Sequence, residues 1–112
     1  MQYLLLISAD EELAQERLRE GAPGSFHAWI TDLEERGVLR AHVGLHDSAT
    51  ATTVRLREGE VLLTDGPFAE GREQVGGLAV VDCADLDEAV AIAAAHPAAV
   101  IGQVEVRPVR VS

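Results

Sequence analysis

The sequence predicts an α+β fold, an antiparallel sheet with two main helices on one face, and three observations carry that reading. Short β-rich apolar runs alternate with helix-length segments in the order strand, helix, strand, hairpin, strand, helix, strand. The 112 residues suit a single domain over 1–112, and the composition, 47% hydrophobic and 25% charged, is that of a globular protein rather than a disordered or coiled-coil chain. No repeat, linker or low-complexity segment divides it. A chain of this length buries roughly two thirds of the surface its unfolded form exposes, so it needs no covalent staple. The element order is that of ferredoxin-like folds.

Residues 3–7, Tyr-Leu-Leu-Leu-Ile, form a continuous apolar run bounded by Ser8, Ala9 and Asp10, which reads as a buried central strand. Helical chain follows. Ser8 or Asp10 can cap it, Glu11 and Glu12 suit the positive end of the helix dipole, and Leu13 with Leu18 supplies apolar contact. Gly21, Ala22, Pro23 and Gly24 break this piece, and Ser25 can cap a second helix over residues 25–36. In that helix Phe26, Trp29, Ile30 and Leu33 recur at i, i+3, i+4 and i+7, a stripe facing the core, and Gly37 ends it.

Residues 38–45 read as a strand whose faces differ, because Arg40, His42 and Gly44 interrupt its apolar character. Residues 51–56 and 60–63 are the arms of a hairpin turning at Arg57, Glu58 and Gly59. Residues 78–83 form a buried strand. Asp85 caps a helix over residues 86–95 with Leu86, Ala89, Val90, Ala93 and Ala94 on its apolar face, and His96-Pro97 stops it. Residues 101–109 alternate, Val104 and Val106 one way, Glu105 and Arg107 the other, and Pro108 puts the strand's end at a sheet edge. With helices on one face only, the other face needs a cover. A second copy, sheets face to face in a homodimer, is the economical one.

The formal net charge is −10, from 19 acidic against 9 basic residues, and Lys is absent. Direct nucleic-acid binding is therefore not expected, since it rests on a basic surface. Cys83 is the single cysteine, which excludes an internal disulfide and permits a reducing compartment. The N-terminal stretch has no basic region before its apolar run and reaches acidic residues at once, so neither a signal peptide nor a membrane span is expected, and the protein is expected in the cytoplasm.

The densest turn chemistry lies between residues 64 and 77. Gly66 before Pro67 demands extended or turn backbone, Pro67 fixes its own φ, and Gly76-Gly77 lets backbone approach backbone. Asp65, at the end of a strand, can cap this turn by accepting backbone N–H bonds, or can be a site residue. The run Asp65-Gly66-Pro67-Phe68-Ala69-Glu70, followed by Arg72-Glu73 and Gly76-Gly77, resembles the signature of the YCII-related family, in particular its DGPF branch. The likeness extends to the opening Tyr3-Leu4-Leu5-Leu6-Ile7, Gly37-Val38-Leu39, Leu86-Asp87-Glu88-Ala89 and Val104-Glu105-Val106-Arg107-Pro108. It implies a ferredoxin-like, dimeric α/β-barrel protein, usually of bacteria, and either enzyme activity through a His and Asp pair or a link to transcription initiation. On this chain the family's Asp falls on Asp65 and its His on His27, the candidate catalytic residues.

An Asp beside a His offers acid–base catalysis near neutral pH, because imidazole titrates there and a carboxylate can orient it. Candidate binding residues are Phe68, Glu70, Arg72 and Glu73 of the loop, together with His42, His46 and Arg107. His42 and His46, four apart on one strand, share a face, but without a third or fourth converging ligand no metal site is expected, and no cofactor. Arg107 can pair with Glu105 or Glu73, or meet an anion. Cys83, beside Asp82, is not expected to be a nucleophile, since a carboxylate raises a thiol pKa. His96, before a proline, reads as a helix-end residue bonding the last carbonyls. Gly71 to Gly77 precede a strand, not a helix, so a nucleotide loop is excluded. Three functions fit: a small enzyme using Asp65 and a His, a small-molecule-binding module without turnover, and an accessory partner-binding protein linked to transcription.

Overall fold

The computed structural model describes residues 1–19, 23–68 and 71–110. Along the chain come β1 (Gln2–Asp10), α1 (Glu11–Arg19), α2 (Pro23–Glu35) and β2 (Leu39–Gly44), then β3 (Thr52–Arg57), β4 (Glu60–Asp65) and β5 (Glu73–Asp82). The chain closes with α3 (Leu86–Ala94), α4 (Ala98–Ile101) and β6 (Gly102–Pro108). Four strands form one antiparallel sheet in the order β2-β5-β1-β6, an order compatible with the ferredoxin-like arrangement, with β1 and β5 central as their apolar runs require. The hairpin β3–β4 does not join it and forms a two-stranded sheet of its own.

Register sorts the side chains of the main sheet. Tyr3 pairs with Val81, and Leu5 with Ala79 and Val106, so these residues share the face on which α2 and α3 lie. The core there joins Tyr3, Leu5, Ala79 and Val81 to Trp29, Ile30 and Leu33 of α2 and to Ala89, Ile92 and Ala93 of α3. Leu5, Leu33 and Val81 are fully buried. The Trp29 indole N–H donates to the Ile92 carbonyl at 2.8 Å, tying the two helices together at depth. The opposite face carries Leu4, Leu6, Leu78 and Val80, all half-buried, and the exposed Val43.

Local chemistry fixes the element ends. Asp10 Oδ1 accepts from the N–H groups of Glu12 and Leu13 at 2.9 and 3.3 Å, and Asp85 Oδ1 from that of Glu88 at 2.9 Å, so both act as N-caps. Gly37, at φ 70°, ends α2: its N–H reaches the Glu34 carbonyl at 3.0 Å and the Val38 N–H reaches Leu33 at 3.1 Å, the paired bonds of a Schellman motif. The hairpin turns through Glu58 and Gly59, both with positive φ (50° and 79°), as a two-residue hairpin turn demands.

Three expectations shift. Helix α2 begins at Pro23, so Ser25 lies inside it instead of capping it, because proline is already set for the first helical position. Phe26 is 45% exposed, whereas Trp29, Ile30 and Leu33 are buried: its position, a turn before the sheet contact begins, leaves it at the rim. Ile101 ends α4, a turn between α3 and β6 that the alternation from Gly102 onward conceals. Gly21, Ala22, Ala69 and Glu70 lie outside the described residues, as do the side chains of Leu18 and Ser25. No helix among the described residues is long and apolar enough to cross a membrane.

Candidate functional site

On the helix face the sheet has a row of small residues. Ile7 pairs with Gly77 and Gly77 with Gly44, next to the row in which Ala79 pairs with His42. The extra residue Gly76 at the β1/β5 register shift turns the strand here, the usual effect of a bulge. With no side chains at Gly44 and Gly77 to fill the space beneath α2, a cavity of about 360 Å³ remains at this end of the sheet. Its floor is Ile7, Gly44, Gly77 and Ala79; its walls are Phe26, Trp29 and Ile30 from α2, and Pro97, Ala98 and Ile101 after α3. The polar groups on it among the described residues are few: Glu11, His42, Gln74 and His96. A mostly apolar concavity with a handful of polar groups is the form of a small-molecule site.

His96 is the unusual member. It is 5% exposed, its ring lies edge-on to Trp29 with centroids 4.7 Å apart and to Phe26 at 5.6 Å, and burial lowers its pKa below the usual 6.5. Nδ1 accepts the backbone N–H of Ala98 at 2.9 Å, so the imidazole holds the turn that follows it instead of bonding the last carbonyls of α3. Nε2 is buried and has no hydrogen-bond partner among the described residues. The sequence carried a signal for this: His96 sits within Ala93-Ala94-Ala95-His96-Pro97-Ala98-Ala99, a polar ring in a run of small apolar residues, which favours burial. Glu11, at the cavity's edge, is held by Ser48, whose N–H donates to Oε2 at 2.8 Å and whose hydroxyl donates to Oε1.

The anticipated site residues are spread over several places. His42 lines the cavity; His46 lies beyond the end of β2 and lines a second hollow of about 410 Å³, between the Ser48–Thr50 turn and Pro67, so the two histidines do not share a strand face. His27 is exposed on α2, and Asp65 is exposed at the end of β4; neither lines either of these two hollows. The Asp65 carboxylate has no partner among the described residues. The turn after it is held by the Gly66 N–H to the Ala51 carbonyl at 2.7 Å and by the Thr53 hydroxyl to the Gly66 carbonyl at 2.9 Å. Phe68 is 76% exposed under the Arg55 guanidinium, 5.2 Å from its ring centre. Arg72 and Glu73 are exposed, and Glu70 lies outside the described residues. Arg107 pairs with Glu105 at 2.5 Å on the open sheet face. Cys83 is buried, and its thiol is pushed up by burial first and by Glu88 second, so the neighbouring Asp82 is not the cause.

An uncharacterised protein of Rhizobium meliloti (strain 1021) is 42% identical over 78 residues, a match covering 66% of this chain and 61% of that protein. The family model of the YCII-related domain matches residues 1–111. That match spans nearly the whole chain, so the chain belongs to the YCII-related domain family.

Proposed function

We propose that this domain binds a small, largely apolar molecule in the cavity between α2, the helix face of the sheet and α4. The observation that carries the reading is the cavity itself, kept open by Gly44 and Gly77 and walled by Trp29, Phe26 and Ile30. A Cβ at Gly44 meets nothing within 4 Å, while one at Gly77 would lie 2.9 Å from the Val43 carbonyl oxygen. Gly44→Leu therefore fills space without forcing the backbone. In a thermal-shift screen of small cyclic and carboxylic metabolites, hits should raise the melting temperature of the native protein and leave that of Gly44→Leu unchanged. Hits that stabilise both proteins equally would put the site elsewhere.

The working form is a homodimer. One face of the hairpin, Val54 and Leu56 opposite Leu63 and Val61, is more than 60% exposed at every position, and the open sheet face adds Leu4, Leu6, Leu78 and Val80. A lone two-stranded hairpin is marginal in water, so it calls for a cover. Sedimentation at micromolar concentration should give about twice the chain mass; a stable monomer would instead favour the accessory reading, in which the hairpin docks on a different protein.

A second chemical reading keeps Asp65 and His27 as acid and base. In its favour, the Asp65 carboxylate is exposed and without a partner among the described residues, so a histidine of a second copy could meet it. Asp65→Asn then abolishes turnover while binding in the cavity persists; binding lost together with turnover would place both events at the hairpin.

A further inference from the structure

The geometry points to an uncharged ligand with a hydrogen-bond acceptor, a ketone, aldehyde, ester or amide carbonyl on an apolar body, received by the Nε2–H of His96. The inference rests on the cavity reading above and adds the chemistry of what fills the cavity.

The tautomer follows from one contact. A backbone N–H can only donate, so Nδ1 of His96, which accepts from Ala98 at 2.9 Å, carries no proton, and the neutral ring must carry it on Nε2. Nε2 is thus a donor. It is buried, it lacks an acceptor among the described residues, and the ring belongs to the cavity wall. Native structures seldom leave a buried donor unmade, because such a group retains its desolvation cost without a compensating bond. Water does not relieve it in place, since Nε2 is shut off from solvent. An acceptor reaches it only when a neighbouring side chain turns aside. Phe26, edge-on to the imidazole and 45% exposed, is the wall residue with room to turn.

The charge of the ligand follows from the rest of the wall. Among the described residues no Arg lines the cavity, and the chain has no Lys; Glu11 adds a carboxylate, and the whole chain is at −10. Converting His96 into a cation would place an N–H on Nδ1 against the Ala98 N–H, so the ring cannot serve as a counter-ion without breaking its own anchor. The other histidine among the described lining residues, His42, stands at an exposed position on the edge strand. A carboxylate would lose its hydration with little return, whereas a neutral carbonyl loses little and supplies what Nε2 lacks.

Three probes of nearly equal size separate the possibilities: acetophenone, with a neutral acceptor; ethylbenzene, with none; and benzoate, with a charged one. Binding is followed by ¹H–¹⁵N NMR of the Trp29 indole and of the His96 ring in the native protein and in His96→Phe. Acetophenone should bind about tenfold more tightly than ethylbenzene, the usual worth of one buried hydrogen bond. Benzoate should be the weakest, and the His96 Nε2 proton should shift with acetophenone alone. In His96→Phe the two neutral probes should bind alike. His96→Gln, which keeps an N–H donor, should restore part of the preference, and the native protein's probe ratio stands even if a variant folds poorly. Equal binding of acetophenone and ethylbenzene to the native protein, or benzoate as the tightest probe, overturns the inference while the cavity reading survives. Failure of all three probes to perturb Trp29 overturns both.

Discussion

Replacing Trp29 tests the packing from which the cavity is made. The side chain is 5% exposed and belongs to the type that buries about 150–250 Å². At about 25 cal/mol per Å², that burial corresponds to at most about 6 kcal/mol, and the compactness of real unfolded chains lowers it by roughly 10–40%. A polar contribution comes on top. In α3 the Ile92 carbonyl would ordinarily accept from the N–H of His96, but that N–H turns to Ala93 at 3.1 Å, and the Trp29 indole serves Ile92 instead at 2.8 Å. Trp29→Ala should therefore cost about 3–5 kcal/mol, within the usual range for a large aromatic. Trp29→Phe, which keeps most of the apolar surface but leaves the carbonyl unserved, should cost about 1–3 kcal/mol. Trp29 is the chain's one tryptophan, so its removal erases the fluorescence probe, and urea unfolding must be followed by far-ultraviolet circular dichroism. With a urea slope of about 1–3 kcal/mol per M, the Ala variant's midpoint should fall by about 2 M at unchanged slope. A shift under about 0.5 M, or a Phe variant as damaged as the Ala variant, would refute the reasoning: the first the burial, the second its division between packing and hydrogen bond.

The remaining predictions use other parts of the molecule. Burial lowers the His96 pKa in the folded state, so between about 6.5 and that lower value the unfolded chain binds a proton that the folded chain refuses. This contribution to stability is whole above about pH 6.5 and is lost as pH falls below it; melting temperatures of native protein and His96→Phe should show the extra acid sensitivity in the native protein only. Asp65→Asn should change stability by no more than about 0.5 kcal/mol in urea unfolding, as expected of an exposed side chain without partners; a loss above about 2 kcal/mol would reveal a structural role. Cys83, 7% exposed with a raised thiol pKa, should react with a disulfide reagent at pH 8 at least about a hundredfold more slowly in native protein than in urea; equal rates would show the strand end to be open.

Much of the fold was legible because sequence pattern and burial follow the same periods. The 3–7 run became a central strand, the i, i+3, i+4, i+7 stripe placed Trp29, Ile30 and Leu33 in the core, and Asp10, Gly37 and Asp85 marked helix ends. Side-chain spacing said nothing of where the hairpin would go, because strand alternation specifies an inner face without naming the surface that covers it. The site was less legible for a related reason. The loop around Asp65 concentrates turn residues, and turn chemistry is a local property; the cavity is made by Gly44 and Gly77 meeting across two strands far apart in sequence, under a helix from elsewhere. His96 was visible as a polar residue among alanines, but its orphaned Nε2 depends on the Ala98 N–H and on the two aromatic rings of α2.

Gly102 bears on how the last strand finds its place. An added Cβ there would sit 2.1 Å from the Ser8 carbonyl oxygen and 2.7 Å from the Ala9 Cα, distances no side chain tolerates. Since Gly102 pairs with Ala9, a slip of β6 by two residues would keep Val104 and Val106 facing the helices and so preserve the apolar pattern, yet it would bring a residue with a side chain into that crossing. The residues such a slip delivers, Val100 or Val104, would both fail the same test. One missing methyl group thus discriminates among registers that hydrophobicity alone leaves nearly equivalent, and it does so where the chain's last strand joins its first.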